Sequence, residues 1–538
     1  MILVLKQLSN KYAVNKPTEF DSPSSRFAVG YYILPILLLL AYRLFLSSYI
    51  CDDAYISLGT AVHVADGSGF GFNVGEHLYV TTSPLWVMLL AMVRLMVGDV
   101  FLAAALLGFL FEAGLLLLLS HLGKVISGSR IVGMLAALLL VVNPVFIVTS
   151  MSGMEMALYL CVALLSLHFL LKENYILGLA LSALTVWVRF DGVLILASAL
   201  LWSLYRLRGS LNKRVLLYLI PAIVILLGYL LFGEVVFDTV VPTSTQRKGM
   251  SSPALFSSEW LAGAFMTARE FVKVIVGKSG YWITGLSPLI LFVPFLGVGL
   301  WKLFKERNQK VIPLFLMTAA YVGGYVGSGS SLPIHFSWYF VPMLPFVCFL
   351  MAEGLSHAGS YFAQRYSMSS GAWATVVLTL ALFWGVGNWF AIDNSKKLLL
   401  ATTDGELDRE RVYAASAYWI GTYLDGGAKV AACEIGTIGF FLPPHVDVID
   451  TYGILRKPDE VERSAIEMVQ GYRPEGVLTR DRFRIKDSIE GEMKGAYVWY
   501  KFRSLDIGFR SDIAHKIEVN LDDLSHIYNT IKLNQEPY

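Results

Sequence analysis

Apolar residues in this chain come in long unbroken runs, not in the short amphipathic stripes of a soluble protein. Such runs lie near 28–50, 100–120, 131–149, 155–171, 175–189, 192–205, 215–233, 281–301, 311–327, 336–353 and 371–391. A helix needs about 20 predominantly apolar residues to cross the hydrocarbon core. The pattern therefore predicts a polytopic α-helical membrane protein of about eleven transmembrane helices. One more apolar stretch, 84–97, is short and interrupted by Arg94, as in a helix that lies on the membrane surface. The first long run starts near Phe27 and continues for a full span, so no cleavable signal peptide is expected.

Charge orients the runs. Lys and Arg concentrate before Phe27 (Lys6, Lys11, Lys16, Arg26), at Lys124 and Arg130, at Arg206–Arg214 and at Lys302–Lys310. The loops between carry Asp52, Asp53, Asp66, Glu76, Asp99 and Glu155. If 84–97 lies flat, every basic cluster faces the cytoplasm, as the positive-inside rule asks; if it spans, the clusters disagree. The flat helix is the consistent choice. Residues 1–27 then form a cytoplasmic tail and 28–391 a membrane domain, with 51–99 and 234–280 as its first and second outer loops.

Polarity becomes ordinary after about 392. Residues 392–538 combine a helical stretch at Arg411–Leu424 with β-rich runs at Lys429–Cys433, Val446–Ile449, Gly476–Thr479 and Ala496–Tyr500. They are expected to form a small extracytoplasmic α/β domain. No internal repeat is visible, which weakens a secondary-transporter reading.

Composition agrees and narrows the chemistry. The 538 residues are 56% hydrophobic and 16% charged, with mean hydropathy +0.59, so a bilayer must be the solvent. A net charge of +2 gives no reason to expect a nucleic-acid partner. The four cysteines form no CxxC, and no HExxH occurs. Gly67-Ser-Gly69-Phe-Gly71 does not join a strand to a helix, and Gly277-Lys278-Ser279 lacks the upstream glycine of a phosphate loop.

The residues with chemical potential recur at the outer ends of spans. Asp52-Asp53 follows the first span, Asn73 and Glu76 lie in a glycine-rich turn, and Thr82-Ser83-Pro84-Leu85-Trp86 opens the short apolar stretch. Glu155 and the Arg189-Phe190-Asp191-Gly192 turn sit between spans, Arg247-Lys248 in the second loop, and His335 to Tyr339 before the tenth span. Ionisable groups at membrane depth cost roughly 2.5–3.5 kcal/mol each on insertion scales and usually serve a function. Plainer roles compete: a self-satisfied Arg189–Asp191 pair, Glu155 as a helix N-terminal carboxylate, Arg247 and Lys248 anchored on headgroups, and Trp338 and Tyr339 in the aromatic belt.

Asp52-Asp53-Ala-Tyr-Ile-Ser, the Gly69 and Asn73-x-Gly75-Glu76 turn, and Thr82-Ser83-Pro84-Leu85-Trp86 resemble the first outer loop of bacterial GT-C glycosyltransferases. That loop resembles the one in the mycobacterial terminal arabinofuranosyltransferase. The architecture is similar to the lipid A aminoarabinose transferase and to protein O-mannosyltransferases. Ser152-Gly-Met-Glu155, Arg189-Phe-Asp191-Gly192 and Tyr339-Phe-Val-Pro-Met-Leu-Pro345 are similar to later blocks of bacterial members. The likeness covers roughly residues 30–350, and in the tail only Val430–Leu455.

The resemblance implies an inverting enzyme of the bacterial plasma membrane, one that moves a sugar from a polyprenyl-phosphate donor to an acceptor hydroxyl outside. The acceptor would be an envelope glycan, lipid or protein, and arabinofuranose is the sugar suggested. An alcohol is a poor nucleophile near neutral pH, so a carboxylate must take its proton. Asp52 is expected first in that role because it is the acid matched in the family, with Asp53 second. Arg189 offers a fork suited to phosphate, with Arg247, Lys248, His335 and Tyr339 beside it. Trp338 stands where arginine often precedes the tyrosine, so one of those cations would supply the missing contact. Glu155, Asp191, Asn73, Glu76, Trp86 and Trp338 would position substrate. Relatives with and without a metal are known, so a divalent ion is left open; if one takes part, Mg²⁺ or Mn²⁺ would have Asp52, Asp53 and Glu155 as oxygen ligands. A transporter or flippase, or a non-enzymatic envelope-assembly protein, is the alternative.

Overall fold

The computed structural model describes residues 30–45, 50–76, 78–208, 213–245, 253–275, 293–329, 337–365, 409–453, 460, 463–480 and 483–537. The chain is mostly helical, with a small sheet near its C-terminal end. Among the described residues, Val100–Ser127, Leu217–Phe237, Gln309–Gly327 and Trp338–Phe362 are long and apolar enough to cross a membrane. The pair Arg130–Val141 and Pro144–Met151, bent by 66°, makes a fifth candidate. Five further apolar helices are shorter: Gly30–Leu44, Pro84–Val97, Met156–Leu171, Tyr175–Val188 and Gly192–Leu207. At 1.5 Å per residue, helices of this length reach only about 21–24 Å, short of a core of roughly 30 Å. Among the described residues, length and composition therefore mark four or five spans, and the count of eleven is not confirmed. The expected span 371–391 and the first part of 281–301 lie outside the described residues.

The bent pair replaces the single helix expected over 131–149. Pro144 has no N–H to give the preceding turn. Asn143 instead caps the second helix, its side-chain oxygen accepting from Val145 N (2.9 Å) and Phe146 N (3.3 Å). Helices Val100–Ser127 and Arg130–Val141 pack at backbone contact: a Cβ on Gly133 would stand 1.9 Å from the Ser120 carbonyl.

Helix Pro84–Val97 buries Trp86, Val87, Leu90 and Ala91 and exposes Met92, Leu95 and Met96. The turn after Val100–Ser127 meets the loop after Val293–Glu306: Asn308 Nδ2 donates to Ile126 O at 2.7 Å and Lys310 Nζ to Val125 O at 3.4 Å. The Lys124/Arg130 and Lys302–Lys310 clusters thus share one end of the bundle.

The C-terminal sheet has the order β2-β1-β3-β5-β4, with β1 Lys429–Ala432, β2 Asp447–Asp450, β3 Gly476–Arg480, β4 Tyr497–Phe502 and β5 Leu505–Arg510. β1 pairs in parallel with β2 and β3, while β5 runs antiparallel to β3 and β4. The sequence pattern marks the first four strands and misses β5. There Leu505, Ile507 and Phe509 do alternate, but a glycine seated against the Trp499 ring and a buried Asp506 stand between them, residue types that strands disfavour.

This domain and the first loop share one core. Tyr55 of helix Asp52–Ala65 contacts the rings of Phe101, Phe440 and Phe441. Its hydroxyl donates to Leu533 O at 2.7 Å.

Candidate active site

Three short backbone features converge where the C-terminal domain meets the bundle. The first is the start of helix Asp52–Ala65, whose first turn carries two acids, where carboxylates suit the exposed N–H groups. Cys51 N donates to Ser152 O at 3.3 Å and ties this start to the second feature, the 152–155 turn. In that turn Gly153 has φ +86, a conformation other residues rarely adopt. Its carbonyl accepts from Trp86 Nε1 at 3.1 Å. Glu155 follows at the N-cap of helix Met156–Leu171. The third is Arg189, which leaves helix Tyr175–Val188 in extended conformation.

Arg189 is the hub. Its Nη1 donates to Glu155 Oε1 at 2.5 Å, Nε to Asp191 Oδ1 at 3.2 Å and Nη2 to Asp191 Oδ2 at 3.1 Å. The guanidinium carbon lies 5.9 Å from the centre of the Tyr159 ring and 5.7 Å from that of Tyr339. Tyr321 and Tyr325, one turn apart on helix Ile312–Gly327, each donate to Asp191 Oδ2 at 2.7 Å. Burial works against the Asp191 charge, but Arg189 and the two tyrosine hydroxyls outweigh it and hold the carboxyl below its usual range. Of five guanidinium N–H groups, these bonds use three. Two carboxylates face one guanidinium, so the cluster by itself offers an incoming anion hydrogen bonds but no excess of positive charge.

Asp53, Glu155, Arg189, Trp338 and Tyr339 line one cavity of about 70 Å³. The structure brings these five expected residues together, with Asp191 behind Arg189. It adds the hydroxyls of Ser57, Thr81 and Ser244, which the sequence reading did not single out, and of Thr82 and Ser83, which it gave only as part of the first-loop motif. Ser244 Oγ is buried with no hydrogen-bond partner among the described residues.

Other expected residues are elsewhere. The Asp52 carboxylate is turned away from the cavity towards the C-terminal domain: Oδ1 accepts from Thr437 N and Oγ1, both at 2.8 Å, and Oδ2 from Gly436 N at 3.3 Å. Asn73 pairs with the open edge of β2, donating to Val448 O at 3.1 Å and accepting from Val448 N at 2.9 Å. Glu76 accepts from the same Asn73 amide at 2.8 Å. Trp86 is buried beneath the 152–155 turn. Arg247, Lys248 and His335 lie outside the described residues.

The acids named for Mg²⁺ or Mn²⁺ do not make one donor set. Both Asp52 oxygens face N–H and O–H donors of the C-terminal domain, and Glu155 faces Arg189. Among the described residues, no three His, Cys, Asp or Glu side chains gather closely enough to hold an ion.

This architecture has solved counterparts. ArnT from Cupriavidus metallidurans, in a structure bound to undecaprenyl phosphate, superposes with TM-score 0.55 and 12% identity over 90% of this chain and 98% of that one. The chain has the GT-C fold. A second GT-C structure, the Archaeoglobus fulgidus oligosaccharyltransferase in complex with Zn and sulfate, gives TM-score 0.54 and 11% identity, covering 91% of this chain and 74% of that one. Arabinofuranosyltransferase AftD from Mycobacteria gives TM-score 0.41 and 14% identity over 92% of this chain and 40% of that one. No family model matches the sequence, and no curated protein matches it significantly. The GT-C likeness is thus one of fold, carried by a multi-pass helical domain with a C-terminal α/β domain.

Proposed function

We propose that this protein is an inverting glycosyltransferase that moves a sugar from a polyprenyl-phosphate donor to an acceptor hydroxyl. The observation that carries this reading is the shared cavity, where Asp53 and Arg189 line the same walls. Asp53 is the base here, in place of Asp52, because it lines the cavity while the Asp52 carboxylate is turned towards Thr437 and Gly436.

The acceptor oxygen attacks the anomeric carbon as Asp53 takes its proton. The bond from that carbon to the phosphate oxygen breaks, its electron pair leaves with the polyprenyl phosphate, and one displacement inverts the configuration. The remaining Arg189 N–H groups and the hydroxyls of Thr82, Ser83 and Ser244 receive the departing phosphate. Positive charge comes from Arg247 and Lys248, three and four residues after Ser244 in the chain. The isoprenoid tail stays among the apolar helices, so the membrane itself presents the phosphate to the site.

The basic clusters at the far end of the bundle support a cytoplasmic N-terminus and an outer C-terminal domain in a bacterial plasma membrane. First-loop resemblance favours arabinofuranose, and the acceptor is an envelope glycan, lipid or protein.

The test is transfer from radiolabelled polyprenyl-phosphate arabinofuranose, with a polyprenyl-phosphate hexose in parallel, by wild type, Asp53→Asn and Asp52→Asn in proteoliposomes. Asp53→Asn is expected to abolish transfer of the sugar that is used. Full turnover in Asp53→Asn would remove the reading, and movement of label across the bilayer without transfer would make the protein a transporter.

A further inference from the structure

Asp52 and Asp53 are consecutive in one helical turn, so their side chains leave the axis about 100° apart. One enters the cavity and the other enters the C-terminal domain. Asp52 is 8% exposed, and its three acceptor contacts come from Gly436 and Thr437, 384 and 385 residues away. A buried carboxylate that loses such donors is left with an unmet charge, so this contact resists partial opening. The backbones also meet here: a Cβ on Gly436 would stand 1.9 Å from the Asp52 carbonyl oxygen, leaving no side chain as a spacer. On the other side, Cys51 N is fixed to Ser152 O of the turn that carries Glu155. The corner at 51–53 is thus gripped from both sides.

We propose that the C-terminal domain sets the position of the catalytic carboxylate through Asp52, which acts as a positioning residue while Asp53 does the chemistry. This rests on Asp53 being the base. The domain is then part of the chemical step and more than a platform for acceptor: shifting the 435–437 segment shifts Asp53 against the donor.

The experiment uses full-length protein in proteoliposomes with polyprenyl-phosphate arabinofuranose. It measures kcat, donor KM, melting temperature and local amide exchange for Thr437→Val, Thr437→Ser, Asp52→Asn and Asp53→Asn. Thr437→Val removes one donor and keeps the shape. It is expected to lower kcat by roughly 10–100-fold, the scale of a small misplacement of a reacting group. Donor KM and melting temperature should hold, Thr437→Ser should restore kcat, and amide exchange should quicken over 50–57 alone. Unchanged kcat and exchange in both Thr437→Val and Asp52→Asn, with Asp53→Asn inactive, would overturn the positioning role and leave Asp53 as base. An active Asp53→Asn beside an inactive Asp52→Asn would overturn the assignment of the base itself. A drop in melting temperature with exchange raised throughout the bundle would reduce Asp52 to structural glue, which also overturns the proposal.

Discussion

Arg189 donates to Glu155 at 2.5 Å, and the two side chains retain only 8% and 5% of their exposure. Breaking a buried pair from one side leaves the other charge uncompensated, at a cost of about 3–5 kcal/mol. Arg189→Lys keeps the charge but loses the planar fork, so one ammonium must serve two carboxylates and a phosphate. Transfer is expected to fall by about 100-fold or more, with a lower melting temperature in detergent. A variant with wild-type turnover would show that Arg189 never meets the phosphate.

Tyr321 and Tyr325 donate to the same Asp191 oxygen. A hydrogen bond to a charged group contributes about 1.5–3 kcal/mol. Each Tyr→Phe change is expected to destabilise by up to about that amount, and the double change by more than the sum, since the remaining donor can tighten when one is lost but none is left when both are. Thermal unfolding of the two single variants and the double gives the coupling directly. Strict additivity would mean that the two hydroxyls act on Asp191 independently of each other.

Much of this was legible in the chain. Apolar runs pointed to a mostly helical membrane protein, ordinary polarity in the tail pointed to the small C-terminal sheet, and acids and an arginine at span ends pointed to one face. The Tyr321–Tyr325 pair was missed, although two phenols one turn apart in an otherwise apolar helix are a signal that could have found it. What the sequence withheld depends on contacts across long separations. Nothing local distinguishes Asp52 from Asp53, because Thr437 decides which of them turns away. Asn73 read as a substrate contact for the same reason: its partner Val448 lies 375 residues on. The break at Asn143-Pro144 is a case of averaging, since a window long enough to detect a span passes over a single capped proline.

Glu155 and Asp191 outnumber Arg189, so attraction of the donor phosphate must come from outside that cluster. Arg247 and Lys248, three and four residues after Ser244 in the chain, are the cations proposed for it. Replacing both with alanine is expected to raise donor KM several-fold while kcat changes little, and the effect should shrink as salt rises, because exposed charges are screened beyond about 10 Å at 0.1 M. Kinetics at two ionic strengths measure this. A fall in kcat at constant KM would instead place the pair at the leaving oxygen.

Arg94 and Glu536 form a two-pronged contact at 3.0 and 2.9 Å, and Glu536 Oε1 also accepts from Val100 N at 2.8 Å. The end of the C-terminal domain thereby clamps helix Pro84–Val97, whose N-terminal approach, Thr81 to Ser83, lines the cavity. Bidentate geometry and side chains only 15% exposed make this pair stronger than an ordinary surface bridge. Arg94 keeps Asp66 as a second partner at 2.7 Å, so Arg94→Ala should cost more than Glu536→Ala. A double-mutant cycle on melting temperature is expected to give a coupling of about 0.5–3 kcal/mol, the range for residues in direct contact. Turnover should fall in both single variants, since a helix released at its far end lets the hydroxyls of Thr82 and Ser83 drift from the phosphate seat. Loss of stability with turnover intact would confine the clamp to holding the domains together.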